Sequence, residues 1–262
     1  MTGERSPSVD LGRLTADLRS LGLLRGQDLL VHCSLSAIGW VDGGPGTLLQ
    51  AIADVAGPDA TIVVSAQTPW TSRTSRAFRA ATAGRDRKGI DDYVAALPVF
   101  DRESTPSHGV GKFAEYVRTH AEAQRSGHPQ TSFAALGPAA AAVASGHDPE
   151  CHLGERSPLR WLYDADAAVL LLGVGYAVCS AFHLAEYRVR GGADVRGADL
   201  DDGDFAQIGD ALDEFWRDRP GPGGPLAGRV GMARSKLIPV RSAVNFAVGW
   251  MEKYRSGAAH DK

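Results

Sequence analysis

The amino-acid sequence predicts an α/β layered fold, a single domain with insertions, and three observations carry that expectation. Residues 28–64 read strand, helix, strand: Asp28-Leu-Leu-Val-His32, then Leu48, Leu49, Ile52, Ala53 and Ala56 at helical spacing, then Ala60-Thr-Ile-Val-Val64. That succession is the repeating unit of layered α/β folds. Ala167-Ala-Val-Leu-Leu-Leu-Gly-Val174 is a continuous apolar run, the mark of a buried strand, and a helical pattern over residues 181–189 follows it. No linker clearly divides the 262 residues into two independent cores.

The elements follow in order. Ser8 or Asp10 caps a helix with Leu11, Leu14, Leu18 and Leu21 at helical spacing, and Gly22 ends it. The strand 28–32 runs straight into Cys33-Ser-Leu-Ser-Ala-Ile-Gly39, and after the turn at 42–46 Thr47 caps the helix that reaches Ala56. Residues 68–88 are rich in Thr, Ser, Arg and Gly with weak periodicity, and read as a long loop or an irregular helix. Residues 111–120 read as helix. The Ala-rich stretch 131–144 is interrupted by Leu136-Gly137-Pro138, with Pro138 placed to start a helix. Ser157 or Pro158 opens a short helix ahead of the apolar strand. Residues 199–205 are acidic and turn-rich, 205–216 an amphipathic helix, and 217–228 a mobile connection of prolines and glycines. A strand at 235–240 and a helix at 242–254 close the chain, with 1–9 and 255–262 as flexible tails.

Composition limits the function classes. Hydrophobic residues make up 44% and charged residues 23%, which excludes an intrinsically disordered chain. Twenty-eight Lys and Arg against 31 Asp and Glu leave a formal charge of −3, without the basic excess of a nucleic-acid binder. The apolar runs fall far short of the roughly 20 residues that a membrane span needs. Three cysteines form a poor disulfide framework, and the first ten residues are polar. The expectation is a cytoplasmic protein with no nucleic-acid or membrane partner.

Several patterns bear on chemistry. His147-Asp-Pro-Glu-Cys151-His152 gathers potential ligands but lacks a second pair at matching spacing, so a surface turn is favoured over a metal site. Cys33 follows His32, but neighbours on a strand face opposite ways, so His32 does not activate Cys33. Cys179 lies four residues before His183 and is a minor nucleophile candidate. No Gly-x-Ser-x-Gly elbow or P-loop occurs, and Gly173-x-Gly175 is too short for a dinucleotide fingerprint. The loop Ser34–Gly39 after a strand, with Gly43, Gly44 and Gly46 close behind, can turn backbone N–H groups toward phosphate oxygens. Arg125, in a turn with His128, can pair with a phosphate. The strongest constellation is Phe182-His183-Leu184-Ala185-Glu186-Tyr187. On a helix His183 and Glu186 share a face, so the carboxylate orients one ring nitrogen and leaves the other as a base.

Taken in order, these segments resemble the aminoglycoside 3-N-acetyltransferase family, which is unrelated in fold to the GNAT acetyltransferases. The matching stretches are His32-Cys-Ser-Leu-Ser-Ala-Ile-Gly39, Gly46-Thr-Leu-Leu49, Leu97-Pro-Val-Phe-Asp101, Thr105-Pro-Ser107, Arg125-Ser-Gly-His-Pro129 with Ser132-Phe-Ala134, Gly154-Glu-Arg-Ser-Pro158, Leu171-Leu-Gly-Val-Gly-Tyr176, His183-Leu-Ala-Glu186, Phe205-x-x-Ile-Gly209 and Gly228-Arg-Val-Gly231. The stretches run from residue 32 to residue 231, and the resemblance covers roughly residues 10–252. The resemblance implies an αβα layered sandwich around a mixed sheet, acetyl-CoA as cosubstrate, no metal, and an aminoglycoside amine as acceptor, most specifically the 3-amino group of the deoxystreptamine ring. It implies His183 and Glu186 as catalytic residues and Ser34, Leu35, Ser36, Ala37, Ile38 and Gly39 as the coenzyme loop, and it leaves a homodimer open. The sequence departs from the family pattern at Cys179-Ser180, at Ser65-Ala-Gln-Thr-Pro69 and at His108, all on the acceptor side.

The mechanism expected is direct attack of an amine on the thioester carbonyl. The amine must first lose a proton, which His183 accepts while Glu186 supports the imidazolium. Ser180 or Thr105 would steady the oxyanion. A cationic acceptor calls for carboxylates. Asp204, ahead of the Phe205 motif, is the first of these, and Gln67 stands in the departing acceptor-side segment. Two alternatives are acetylation of another amino sugar or small amine in biosynthesis, and a catalytically silent relative that only binds ligands.

Overall fold

The computed structural model describes residues 8–73, 75–189, 202–219 and 221–258. Helix α1 (Leu11–Leu21) starts under Asp10, whose carboxylate accepts from the Arg13 N–H, and ends at Gly22 with φ +100°. This is the anticipated cap pair. It leads to β1 (Leu29–Cys33), α2 (Leu35–Ile38), α3 (Pro45–Ala56) and β2 (Ile62–Ser65). Helix α3 begins ahead of Thr47 because Pro45 supplies a preset φ in its first turn. Then come α4 (Arg76–Thr82), α5 (Arg87–Ala95), α6 (Gly111–Arg118), β3 (Gln124–Arg125), β4 (Phe133–Leu136), α7 (Ala140–Ser145), α8 (Pro158–Asp164) and β5 (Ala168–Leu172). Helices α9 (Ala181–Val189) and α10 (Asp202–Arg217), strands β6 (Leu226–Val230) and β7 (Ala233–Pro239), and α11 (Val240–Ala258) complete the chain.

Among the described residues seven strands form one sheet in the order β3-β4-β2-β1-β5-β7-β6. Strand β1 runs parallel to β2 and β5, and the outer pairs are antiparallel, so the sheet is mixed. Strand alternation sorts its side chains onto two faces. Leu29, Val31, Val64, Ala134 and Leu170 pack with Leu14, Leu18, Ile52 and Phe113 from α1, α3 and α6. Leu30, Val63, Phe133, Val169 and Leu171 pack with Leu159, Phe182, Leu184, Ile208 and Val244 from α8 to α11. The architecture is therefore αβα, with a core on each side of the sheet.

Several expectations need adjustment. Of the two readings of segment 68–88, a long loop or an irregular helix, the helical one holds: a turn of 3-10 helix at Pro69–Thr71 is followed by α4 and the start of α5. Ser75 accepts from the Phe78 N–H and Asp86 from the Gly89 N–H, and these caps start helices where apolar periodicity is weak. Part of the Ala-rich segment is strand β4, whose small side chains alternate between the two faces. The connection 217–228 already contains the start of edge strand β6. Val9, placed in a tail, is buried and bridges Val41. Residues 202–205 of the acidic, turn-rich segment form the first turn of α10, and residues 255–258 of the C-terminal tail the last turn of α11; residues 1–7, 199–201 and 259–262 lie outside the described residues.

Candidate functional site

The parallel strands β2, β1 and β5 all end at one edge of the sheet, where open α/β sheets gather ligands. From those ends project His32 and Cys33 of β1, Ser65 and Gln67 at and after β2, and Val174, Ala177, Val178 and Ser180 after β5. Together with Gly109, Gly111, His183 and Phe205 they line a cavity of about 500 Å³. Gly173 makes this convergence possible. Its φ is +65°, and an added Cβ would sit 2.5 Å from the Ala37 Cβ. The Gly173-x-Gly175 pattern thus serves close packing of the β5 end on α2.

Helix α9 delivers the histidine–glutamate pair. His183 Nδ1 lies 2.7 Å from Glu186 Oε2, one turn along the helix. The Glu186 side chain is 3% exposed and that of His183 18%, so the carboxylate is sealed while the ring opens on the cavity. With Nδ1 donating to the carboxylate, Nε2 carries the lone pair. Phe205 packs edge-on against the His183 ring at 4.7 Å and fixes its plane.

Two further cavities adjoin the first. One, of about 580 Å³, shares Cys33, Ser34 and Gly111 with it and is lined by Leu35, Ser36, Gly39, Trp40 and Lys112 among others. Ser34 and Ser36 hydroxyls stand 3.2 Å apart at its edge. Trp40 is 71% exposed there. The other, of about 210 Å³, shares Gln67 and His183 with the first and adds Ser72, Ser75, Gln130, Thr131, His152 and Tyr187. His183 therefore stands in the partition between a large and a small cavity.

The remaining candidates divide. Ser34, Leu35, Ser36 and Gly39 line the 580 Å³ cavity, and Ala37 lines another beside Gly173. Ile38 turns its side chain fully into the core, so it offers no side-chain contact to a ligand. Arg125 is also a correction. It lies on β3 with its side chain buried; Nε donates to Ser132 Oγ at 2.9 Å, Nη2 to the Ala66 carbonyl at 2.5 Å and Nη1 to the Thr105 carbonyl. Phe100 stacks under its guanidinium. Burial lowers its pKa to about 10. It is a clamp between loops, not a phosphate contact. Thr105 spends its hydroxyl on the Asp101 N–H and lies outside the cavity, whereas Ser180 lies in the wall. Asp204 is half-buried at the start of α10 beside Phe205, and it is not a lining residue. Burial pushes the thiols of Cys33 and Cys179 up to about 12, so neither is a thiolate nucleophile.

His147-to-His152 is no surface turn. His147 and Cys151 are buried. Ser126 Oγ lies 2.9 Å from His147 Nδ1, and His147 Nε2 donates to the carbonyls of Cys151 and His152. Among the described residues no group of three His, Cys, Asp or Glu is arranged to hold a metal. Nor is any described helix long and apolar enough to cross a membrane. Sequence reasoning missed His32, Ser65 and Trp40 as wall residues. His32 and Ser65 stand at the ends of strands whose parallel order was not yet known, and Trp40 follows α2, where no sequence pattern marked it.

Comparison with known proteins gives the family and the fold. A family profile described as aminoglycoside 3-N-acetyltransferase matches residues 30–252. The SPbeta prophage-derived aminoglycoside N(3')-acetyltransferase-like protein YokD of Bacillus subtilis (strain 168) is 32% identical over 255 residues, covering 90% of each chain. Its crystal structure superposes with a TM-score of 0.84 at 31% identity over 96% of both chains. Aminoglycoside N(3)-acetyltransferase VII of Streptomyces paromomycinus is 32% identical over 279 residues, 92% of this chain and 91% of the relative. A structure of AAC-IIIb as a binary complex with CoASH is similar at a TM-score of 0.76 and 27% identity, covering 95% of this chain and 98% of the other.

Proposed function

The chain belongs to the aminoglycoside 3-N-acetyltransferase family, an acyltransferase using acetyl-CoA, and we propose that it acetylates an amine of an aminoglycoside by direct transfer with His183 as general base. The observation that carries the reading is the position of the His183 ring, backed by Glu186 at 2.7 Å and shared by two cavities. The cosubstrate occupies the 580 Å³ cavity along Ser34, Leu35, Ser36 and Gly39. Lys112 and Trp40 suit the phosphates and the adenine there, and the acetyl group reaches the 500 Å³ cavity through the shared Cys33–Ser34 wall. The acceptor enters from the small cavity beside Gln67.

In the reaction the amine nitrogen forms a bond to the thioester carbon and passes its proton to His183 Nε2. The tetrahedral adduct then breaks its C–S bond, and the proton goes on to the departing thiolate sulfur. The products are the N-acetylated amine and CoASH. Glu186 holds Nδ1 and stabilises the imidazolium, and base catalysis of this kind contributes about 10²–10⁴-fold. With an antibiotic acceptor the outcome is resistance.

One observation favours a second reading. None of the described residues lining the two cavities around His183 is a carboxylate, whereas a polycation entering a desolvated site needs paired charges. That suits an amino sugar or small amine of low charge. CoASH release from acetyl-CoA, followed with a thiol reagent across aminoglycosides, neutral-to-monocationic amino sugars and simple amines, separates the readings. Release with 3-amino aminoglycosides and acetylation at that nitrogen supports the first, release confined to weakly charged amines the second, and no release with any amine refutes both.

A further inference from the structure

The cavity holds a second imidazole that the proton-transfer scheme does not use. Alternation along β1 sends Val31 and Cys33 to the α1/α3/α6 side of the sheet, so His32 projects to the other side, where α9 lies. Its ring lines the cavity together with His183, Ser65 and Ser180. The backbone N–H of Ser180 donates to His32 Nε2 at 3.4 Å. Nε2 therefore holds a lone pair, and Nδ1 carries the hydrogen. No described residue accepts from that Nδ1–H. Yet the only buried side-chain nitrogen or oxygen left unpartnered among the described residues is His128 Nε2. The Nδ1 of His32 is thus unpaired without being sealed, and its opening is the cavity.

Burial, reinforced by the neighbouring His183, lowers the His32 pKa to about 4. The ring stays uncharged at neutral pH, so it makes a poor recipient for the amine's proton and a persistent donor. Ser180 adds a hydroxyl in the same wall, 3.4 Å from that of Ser65. A fixed N–H donor and a hydroxyl beside the base are what a developing oxyanion requires.

On the reading of the site as an acetyltransferase centre, we propose that His32 is a catalytic hydrogen-bond donor, its Nδ1–H receiving the thioester carbonyl oxygen as negative charge develops on it. When the amine attacks, the C–N bond forms and the carbonyl π pair moves onto that oxygen. His32 keeps its proton throughout and donates only a hydrogen bond, with Ser180 Oγ–H beside it. Collapse restores C=O and breaks C–S, while the amine's proton travels through His183.

Two isosteric variants test this. In His32→Asn the amide nitrogen can replace Nδ1 as donor, and the acceptor for the Ser180 N–H is lost. In His32→Gln the amide oxygen can replace Nε2 and keep that N–H, and the Nδ1 donor is lost. The expected result is a fall in kcat of about 10²–10³-fold for His32→Gln, with KM for acetyl-CoA within about threefold, and a loss of less than about tenfold for His32→Asn. Both variants retain the acid limb of the wild-type kcat/KM–pH profile. A His32→Gln enzyme near wild-type speed beside a crippled His32→Asn would make the ring an anchor for α9 and overturn the proposal. Loss of the acid limb in either variant would make His32 the base and overturn it as well. If instead His183→Ala kept full turnover, the acetyltransfer scheme itself would fail, an outcome distinct from either.

Discussion

Two groups of histidines in this chain use the same side chain in opposite ways. His183 and His32 stand at the strand ends, each with one nitrogen tied by the protein and the other facing a cavity. His128 and His147 lie nearby under β4, stacked ring on ring at 4.7 Å, and both are buried. His128 Nδ1 accepts from the N–H groups of Gln130 and Thr131, and His147 is bonded through both nitrogens. The first pair keeps a nitrogen in reserve for a ligand. The second turns three of its four nitrogens to the folding of the loop that borders the small cavity, and the fourth, His128 Nε2, is sealed in the interior without a partner. The difference teaches that what the untied nitrogen faces, a cavity or the packed interior, separates a reactive imidazole from a structural one.

The largest effect comes from the reactive group. His183→Ala lowers kcat by about 10²–10⁴-fold while coenzyme affinity, read by calorimetry, stays within about threefold. Glu186→Gln follows closely, because an amide that donates to Nδ1 forces the tautomer with a protonated Nε2. Turnover unchanged in either variant breaks the distinction between the two groups.

Next is Arg125, a residue whose sequence context suggested a phosphate contact. Arg125→Lys loses the fork that serves Ser132, Ala66 and Thr105 and destabilises the fold by roughly 2–4 kcal/mol in chemical denaturation. The Kd for acetyl-CoA remains within about twofold. A tenfold loss of coenzyme affinity with unchanged stability would return Arg125 to the ligand side.

The structural histidines give a smaller, pH-dependent effect. Burial is the largest cause in holding His128 down to about 3 and His147 to about 4. Unfolding returns both rings to their ordinary value near 6.5. Below that pH the unfolded chain binds protons that the folded chain refuses. Their stabilising contribution is therefore complete above about pH 6.5 and falls as pH drops toward 4, by up to about 1.4 kcal/mol per pH unit for each ring. His147→Leu costs about 1–3 kcal/mol at pH 7, since it strands the Cys151 and His152 carbonyls and the Ser126 hydroxyl. The same variant flattens the acid slope by about one ring's share and leaves kcat unchanged. Denaturation midpoints from pH 7 to pH 5 measure both. A slope identical to wild type would mean His147 titrates normally in the folded chain.

The same contrast explains what was legible in the sequence. The layered fold was legible because β1, α3, β2 and β5 carry their signals locally, in apolar runs and in caps such as Asp10 and Gly22. The His183–Glu186 pair was legible because one helical turn joins its members. His32 was not, since its partner Ser180 is 148 positions away and the meeting depends on β1 lying beside β5. Arg125 was misread for the mirrored reason. A guanidinium near a Gly-His-Pro turn looks solvent-facing until β3 pairs with β4 and buries it against Ala66 and Ser132. The caps Ser75 and Asp86 were in plain view but lacked an apolar stripe to announce their helices.

The smallest expected effect concerns Asp204, which sits in the first turn of α10 next to the Phe205 that steadies His183. A half-exposed carboxylate contributes about 0.2–1 kcal/mol to a cation across water, so Asp204→Asn raises KM for a polycationic aminoglycoside by no more than about fivefold. The rise shrinks as salt is added, because the Debye length falls to about 3 Å at 1 M. KM for a monoamine acceptor does not move. Loss of an acidic residue from a helix N-terminus lowers stability by about 0.3–1 kcal/mol as well, and a melting curve separates that from recognition. Equal KM values for both acceptors in the variant and the wild type would remove Asp204 from the acceptor side.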